Sequence, residues 1–394
     1  MRLALLTPDW TPNGGIATYV RSVSAALAGA GHQVLVCHGH AADGVAPRGV
    51  EIHRLHGYTH NASGRSAEAC VAGAMEQLFA FRPDVVHIHG MNNIPLERRL
   101  LREFPAIKTF HVYDFCPAGT KFHHTTDRAC TFSTGAACVV RQGYLRCTLS
   151  KRPGVWWSQY RRATALNRHN RSFSRCIVAS NYAKAEAVRT GYHADRVDVV
   201  PYFTEIPESV PEPRPRHILF VGRLVREKGI DLLFDALARL TGAWTCTVVG
   251  EGIAGAEVRE QACARGLDSR VTFTGWLNGA ALSTAFSEAT VVAVPSRWPE
   301  PFGIVGLEGM SHARPVVAFR VGGIPDWLDD GVSGCLVPAG DVAAFAERLS
   351  WLLDHPAEAA AMGQRGRQRV AHDFSARAHL DQLLPIYRHL HVPN

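Results

Sequence analysis

Two doubly wound α/β domains in tandem are the fold class the sequence predicts, and three observations carry it. Short apolar runs alternate with helix-length amphipathic stretches along nearly the whole chain. The alternation is broken at 205–216, EIPESVPEPRPR, where four prolines in twelve residues suit an extended linker. At 394 residues the chain is also too long for one ordinary core.

The first domain, 1–204, contributes RLALLT, QVLVCH, VEIHRL, DVVHIH, IKTFHV, RCIVAS and RVDVVP as strands. GIATYVRSVSAALAGAG and SAEACVAGAMEQLFAF are helix-length stretches between them. Near-continuous apolar strands separated by helices indicate a parallel sheet covered on both faces. The pattern restarts in a second domain, 217–372, with HILFVG, CTVVG, RVTFTG, TVVAVP, PVVAFR and CLVP. The tail, 373–394, holds SARAHLDQLLPIYRHL, an amphipathic helix expected to break or kink at Pro385. Such sheets bind ligands at the carboxyl ends of their strands, so two of them predict a cleft between the domains.

Composition is that of a soluble globular protein, 46% hydrophobic and 20% charged. The apolar run at the start is too short for a signal peptide, and no stretch approaches the ~18 apolar residues of a membrane helix. A cytoplasmic protein is expected. The formal charge of +7 is unevenly spread: 141–175 carries nine Lys/Arg and no Asp or Glu. With Trp156, Trp157 and Tyr160 that segment reads either as a peripheral membrane or anionic-substrate contact, or as a solvated basic helix.

Four stretches carry chemistry. After the first strand, Gly14 and Gly15 allow close backbone approach, and the helix start beyond them offers free N–H groups. GRLVREKG presents Gly222, Arg223 and Lys228 at a strand end, a fork and a point charge suited to a diphosphate. GEGIAG, from Gly250, matches a dinucleotide fingerprint. The next strand lacks the acidic residue a ribose would need, so a tight turn beside a nucleotide is the better reading. WPEPFGIVGLEGM sets Glu300 before a helix start and Glu308 two turns inside it. Around Pro301, the amides of Phe302, Gly303 and Ile304 are left to receive phosphate or sugar oxygens. Both glutamates would accept from sugar hydroxyls.

Glu300 and Glu308 in EPFGIVGLE, with GRLVREKG, VVGEG, VGGIP, NGGIATYV, HIHG and HVYD, resemble the retaining GT-B glycosyltransferases of family 4 over essentially the whole chain. That resemblance implies transfer of a sugar from a nucleoside-diphosphate donor, with retention and without an essential metal. The chain has no Asp-x-Asp, which agrees. It implies that Arg223 and Lys228 hold the diphosphate, Glu308 the ribose, and Glu300 with the 302–304 backbone the transferred sugar. Gly15 would close the donor pocket and His111 would lie near the sugar. The final helix would cross back onto the first domain, which would hold the acceptor, be it a glycan, glycolipid or secondary metabolite. PYFTE and GGIPD, with Asp326, depart from the family's usual hinge and donor-contact sequences.

Other readings are a nucleotide-sugar epimerase or hydrolase on the same architecture and, from GEGIAG alone, a nicotinamide oxidoreductase. No nucleic-acid partner is indicated. Ten cysteines in a cytosolic protein do not suggest a disulfide framework. Four of them, Cys116, Cys130, Cys138 and Cys147, fall in a loop-rich insert at about 114–150, where a structural zinc site is expected. Ordinary thiols are the alternative, because no C-x2-C pair is present.

Overall fold

The computed structural model describes the chain except residues 12–13, 41–45, 56–63, 91, 149 and 391–394. Pro12 and Asn13 of the first glycine motif therefore lie outside the described residues. Two compact units emerge: unit 1 is Met1–Lys121, Thr131–Pro201 and Ala376–Asn394, and unit 2 is Phe122–Cys130 and Tyr202–Ser375.

The first part of the chain runs β1 (Arg2–Asp9), α1 (Gly15–Gly29), β2 (Gln33–His40), β3 (Val50–Arg54), α2 (Gly64–Phe81), β4 (Val85–His89), α3 (Ile94–Glu103) and β5 (Ala106–Phe110). The insert holds a hairpin, β6 (Phe122–His123) and β7 (Arg128–Ala129), then α4 (Ala137–Tyr144) and α5 (Pro153–Asn170). β8 (Cys176–Val178), α6 (Asn181–Arg189) and β9 (Val197–Val199) follow. The unit 1 sheet has seven strands in the order β3-β2-β1-β4-β5-β8-β9, every pairing parallel. Its central strands β1, β4 and β5 are almost wholly buried, which is why they read as unbroken apolar runs.

The second part runs β10 (His217–Val221), α7 (Ile230–Leu237), β11 (Thr245–Val249), α8 (Gly255–Ala264), β12 (Val271–Gly275), α9 (Gly279–Glu288) and β13 (Val291–Val294). It continues through α10 (Ile304–Ser311), β14 (Val316–Phe319), β15 (Gly334–Val337), α11 (Val342–Asp354), α12 (Pro356–Asp373) and α13 (Ala376–Leu390). Unit 2 has six parallel strands in the order β12-β11-β10-β13-β14-β15. Its core includes Phe220, Phe234, Leu237, Val248, Val317 and Leu349. Both sheets are doubly wound, as the strand and helix periodicities predict.

Helix starts follow local capping chemistry. Asn93 accepts from the Leu96 amide at the head of α3, Ser180 from Ala183 at α6, and Asp341 from Ala344 at α11. α13 is one continuous helix that contains Pro385. It clusters with unit 1, where Tyr387 bonds His87 at 2.6 Å and His379 bonds Tyr19 at 3.0 Å. No helix among the described residues is long and apolar enough to cross a membrane.

Two features of the insert depart from expectation. Residues 122–130 cluster with unit 2, where His124 lies 3.5 Å from Glu227 and Arg226 bonds Asp127 at 2.8 Å. The expected zinc site does not form. Among the described residues, no group of three or more His, Cys, Asp or Glu is placed to hold a metal. Cys130 belongs to unit 2 and Cys116, Cys138 and Cys147 to unit 1. The Cys138 thiol points to the Ser133 carbonyl at 3.9 Å and that of Cys147 to the Arg141 carbonyl at 3.7 Å. Packing and hydrogen bonds hold the insert instead. Lys121, almost fully buried, pairs with Glu186 at 2.7 Å and donates to the Phe132 carbonyl at 2.7 Å. Gly143 lies so close to Trp156 that a Cβ there would meet the ring at 2.2 Å.

Candidate functional site

In a doubly wound sheet the strand order reverses at one point, leaving a crevice at the strand ends. In unit 2 the reversal falls between β10 and β13, and the residues singled out in this unit gather in the loops there. Gly222 follows β10 directly, and Glu300 lies in the loop after β13. A single 3-10 turn, Arg226–Lys228, carries Lys228 back to that loop, where its Nζ donates to Glu300 Oε1 at 2.7 Å. Ser296 donates to the same oxygen at 2.6 Å. Lys228 also lies 5.7 Å from the centre of the Trp298 ring. Glu300 is thus a fixed carboxylate, buried and aligned by two donors, with one oxygen bearing both.

The glycines explain how the loops fit. Gly250, after β11, has φ 132°, and a Cβ there would lie 2.0 Å from the Gly222 carbonyl oxygen. Gly322 has φ 55°, and its Cβ would fall 2.2 Å from the Glu300 carbonyl. No side chain can occupy either position without moving the backbone that carries the site. Gly250→Ala is expected to destabilise unit 2 by about 2–4 kcal/mol, read by denaturant unfolding of the full chain. A loss below about 0.5 kcal/mol would show that the loop relaxes instead.

α10 is preceded by Gly303, which has φ 86° and provides no side-chain cap, so the helix's first amides are left to solvent or a ligand. Trp327 fixes the approach: its Nε1 donates to the Phe302 carbonyl at 2.6 Å, and its ring packs where a Gly306 side chain would otherwise stand. Pro301 and Phe302 are buried beneath this turn. Glu308 lies on α10, and its carboxylate has no hydrogen-bond partner among the described residues. Burial pushes its pKa up to about 7. Arg223 is exposed and its guanidinium is likewise unpaired among the described residues. A cation, a fixed Lys–Glu pair, free helix amides and a carboxylate that is costly to ionise therefore share one sheet edge.

Unit 1 has its own cluster at the corresponding edge. Gly14, with φ 111°, precedes α1 without a side-chain cap, and Gly15 opens that helix. Gly90, after β4, has φ 57°, and a Cβ there would meet Ile16 at 3.1 Å and the His111 ring at 3.9 Å. His111, after β5, is therefore beside the α1 start. Its Nε2 lies 3.1 Å from His89 Nδ1, and its ring is 5.2 Å from that of Tyr19. Burial drives the pKa of His111 down to about 3 and that of His379 to about 4, and holds His87 and His89 well below the usual range. All four imidazoles are neutral at pH 7, so His111 presents one donor and one acceptor, in an arrangement tied to His89.

Sequence reading overlooked Ser296 and His89. Ser296 closes TVVAVPS, where a serine after a strand is too common to mark. His89 was visible in HIHG, yet only the register of β4 with β5, which pairs His89 with Thr109, sets it beside His111.

A family model described as Glycosyltransferase Family 4 matches residues 13–206, and one described as Glycosyl transferases group 1 matches residues 215–355. An alpha-D-kanosaminyltransferase of Streptomyces kanamyceticus is 35% identical over 176 residues, 44% of this chain and 45% of that protein. The match thus spans less than half of that curated relative. A glycogen synthase of Mycobacterium tuberculosis is 27% identical over 95% of this chain and 91% of its own length. Among solved structures, Anabaena Alr3699/HepE in complex with UDP and glucose superposes with a TM-score of 0.75 at 20% identity, over 99% of this chain and all of that one. That structural likeness, at 20% identity, is one of fold. With a family 4 domain followed by a group 1 domain on two doubly wound sheets, the chain belongs to the GT-B glycosyltransferases.

Proposed function

We propose that the chain is a retaining glycosyltransferase that moves a sugar from a nucleoside-diphosphate donor to an acceptor hydroxyl without a required metal ion. One observation carries the reading: at the β10/β13 reversal, Glu300 is held by Lys228 and Ser296 beside the uncapped start of α10, with Glu308 about one turn into that helix. A carboxylate fixed by two donors suits recognition of sugar hydroxyls, and a second, unpaired carboxylate suits a ribose diol. Arg223, Lys228 and the α10 amides supply the positive charge that a leaving diphosphate needs. His111, neutral and oriented by His89, suits a hydroxyl of the transferred sugar.

In this reading the bond from the anomeric carbon to the diphosphate breaks on the face where the acceptor oxygen bonds. The acceptor proton passes to a leaving phosphate oxygen. The basic segment 141–175, with Tyr144 80% exposed and Trp157 52% exposed, supports an anionic or membrane-borne acceptor. A UDP donor is one candidate, in keeping with the structural neighbour that holds UDP and glucose.

Calorimetric titration of the full chain with UDP, GDP and dTDP in EDTA tests the donor site. One nucleotide is expected to bind, with the affinity reduced at least about tenfold by Arg223→Ala through loss of a charge-assisted phosphate contact. Failure of all three nucleotides to bind, with or without added magnesium, would end the reading.

A further inference from the structure

Unit 1 contains a cavity of about 400 Å³ between α3 and α5, with neither His111 nor any residue of α1 in its lining. Arg98 and Arg102 of α3 face it together with Arg168 of α5; Ile94 and Leu101 supply an apolar wall, and Ser172 a hydroxyl. No carboxylate lines it. None of the three arginines has an ion-pair partner among the described residues.

Two nearby arginines, by contrast, are paired. Arg99, next to Arg98, pairs with Glu103 at 3.0 Å, and Arg175 pairs with Asp198 at 2.8 Å. The acid on α3 nearest the cavity, Glu97, is turned inward. It takes the fully buried Lys108 at 3.0 Å and His169 at 3.0 Å, so its charge is already matched. Arg98 and Arg102 are four apart on one helix, a spacing at which like charges repel. Arg102 and Arg168 lie in the last turns of their helices, where the helix dipole favours a cation. The dipole accounts for each of those two singly. It does not account for three guanidinium groups from two helices sharing one acid-free, partly apolar hollow.

We infer that this cavity is a binding site for a phosphate group carried on an apolar body, as in a phosphate ester of an aliphatic alcohol or the headgroup of an anionic lipid. Guanidinium forks meet phosphate oxygens two at a time, and three of them can satisfy a phosphate ester from more than one side. Ile94 and Leu101 offer the attached chain a surface to leave water. The site belongs to unit 1 alone and does not rest on the donor assignment.

Hexyl phosphate, inorganic phosphate and hexanol are the probes, titrated calorimetrically into the full chain and into an Arg98→Gln/Arg102→Gln/Arg168→Gln variant. The three side chains are exposed, so the variant is expected to unfold at the wild-type temperature, and single Arg102→Gln is carried as a milder version. Phosphate taken up by the cations of unit 2 is common to both proteins and cancels in the comparison. Hexyl phosphate is expected to bind the wild type at least about tenfold more tightly than the triple variant, with hexanol silent. Hexyl phosphate binding about tenfold better than inorganic phosphate identifies a phosphorylated amphiphile; equal binding identifies free phosphate in the same arginine site. Equal affinities in wild type and variant, or no binding by the wild type, would overturn the site.

Discussion

Glu308→Gln is expected to cost nucleotide affinity and to raise the stability of the free protein in the same experiment. The carboxyl has a pKa of about 7 because burial on α10 disfavours its charged form. Its ordinary value is near 4.5, so between pH 4.5 and 7 the folded chain holds a proton that the unfolded chain has lost. Stability from this group is therefore intact at pH 4.5 and falls as pH rises through 7. Glutamine removes that loss, and the variant is expected to gain about 1–2 kcal/mol at pH 8 and almost nothing at pH 4.5.

A ribose diol donates to the charged carboxylate better than to the neutral acid or amide. Nucleotide affinity of the wild type should therefore rise with pH through about 7, while that of the variant is flat and about 10–100-fold weaker at pH 8. Thermal unfolding with and without nucleotide at the two pH values reads both effects. A variant that is no more stable at pH 8, yet still loses affinity, would show that Glu308 is not desolvated as its surroundings imply.

Lys228→Met is expected to be the most damaging single change to turnover. Under the proposed function, removing the ammonium takes away charge from the leaving diphosphate, a loss of about 10²–10³ in kcat. It also leaves Glu300 buried with Ser296 as its remaining donor, an uncompensated carboxylate that costs about 1–3 kcal/mol of stability. Glu300→Gln relieves that second cost without restoring the first. The double variant Lys228→Met/Glu300→Gln should recover stability relative to Lys228→Met while turnover stays low, a coupling that a double-mutant cycle measures directly. Equal turnover in Lys228→Met and wild type would remove Lys228 from the machinery and leave it a structural partner of Glu300.

What the sequence determined by itself was the set of elements and the residues that carry charge at their ends. Thirteen runs were legible as the strands of two sheets because the central parallel strands, covered on both faces, are near-continuously apolar, while the edge strands β3 and β12 still carry apolar residues at alternate positions. Gly222, Gly250, Lys228 and Glu300 stood out as candidates because each lies in a loop after a strand, where ligands of doubly wound sheets bind, and Glu308 because of its spacing from Glu300 on the helix that follows.

Tertiary structure decided the pairings. Lys228 and Glu300 are 72 residues apart, and only the strand order that sets β10 against β13 brings their side chains to 2.7 Å. His89 reaches His111 through strand register in the same way. The zinc expectation failed for a related reason. Cysteine spacing in a loop-rich insert says nothing of where the chain turns, and among the described residues no three His, Cys, Asp or Glu side chains are brought together to hold a metal. Local chemistry is written along the chain, whereas long-range contact depends on which loops the packed sheets close, and that is settled by burial of the whole core.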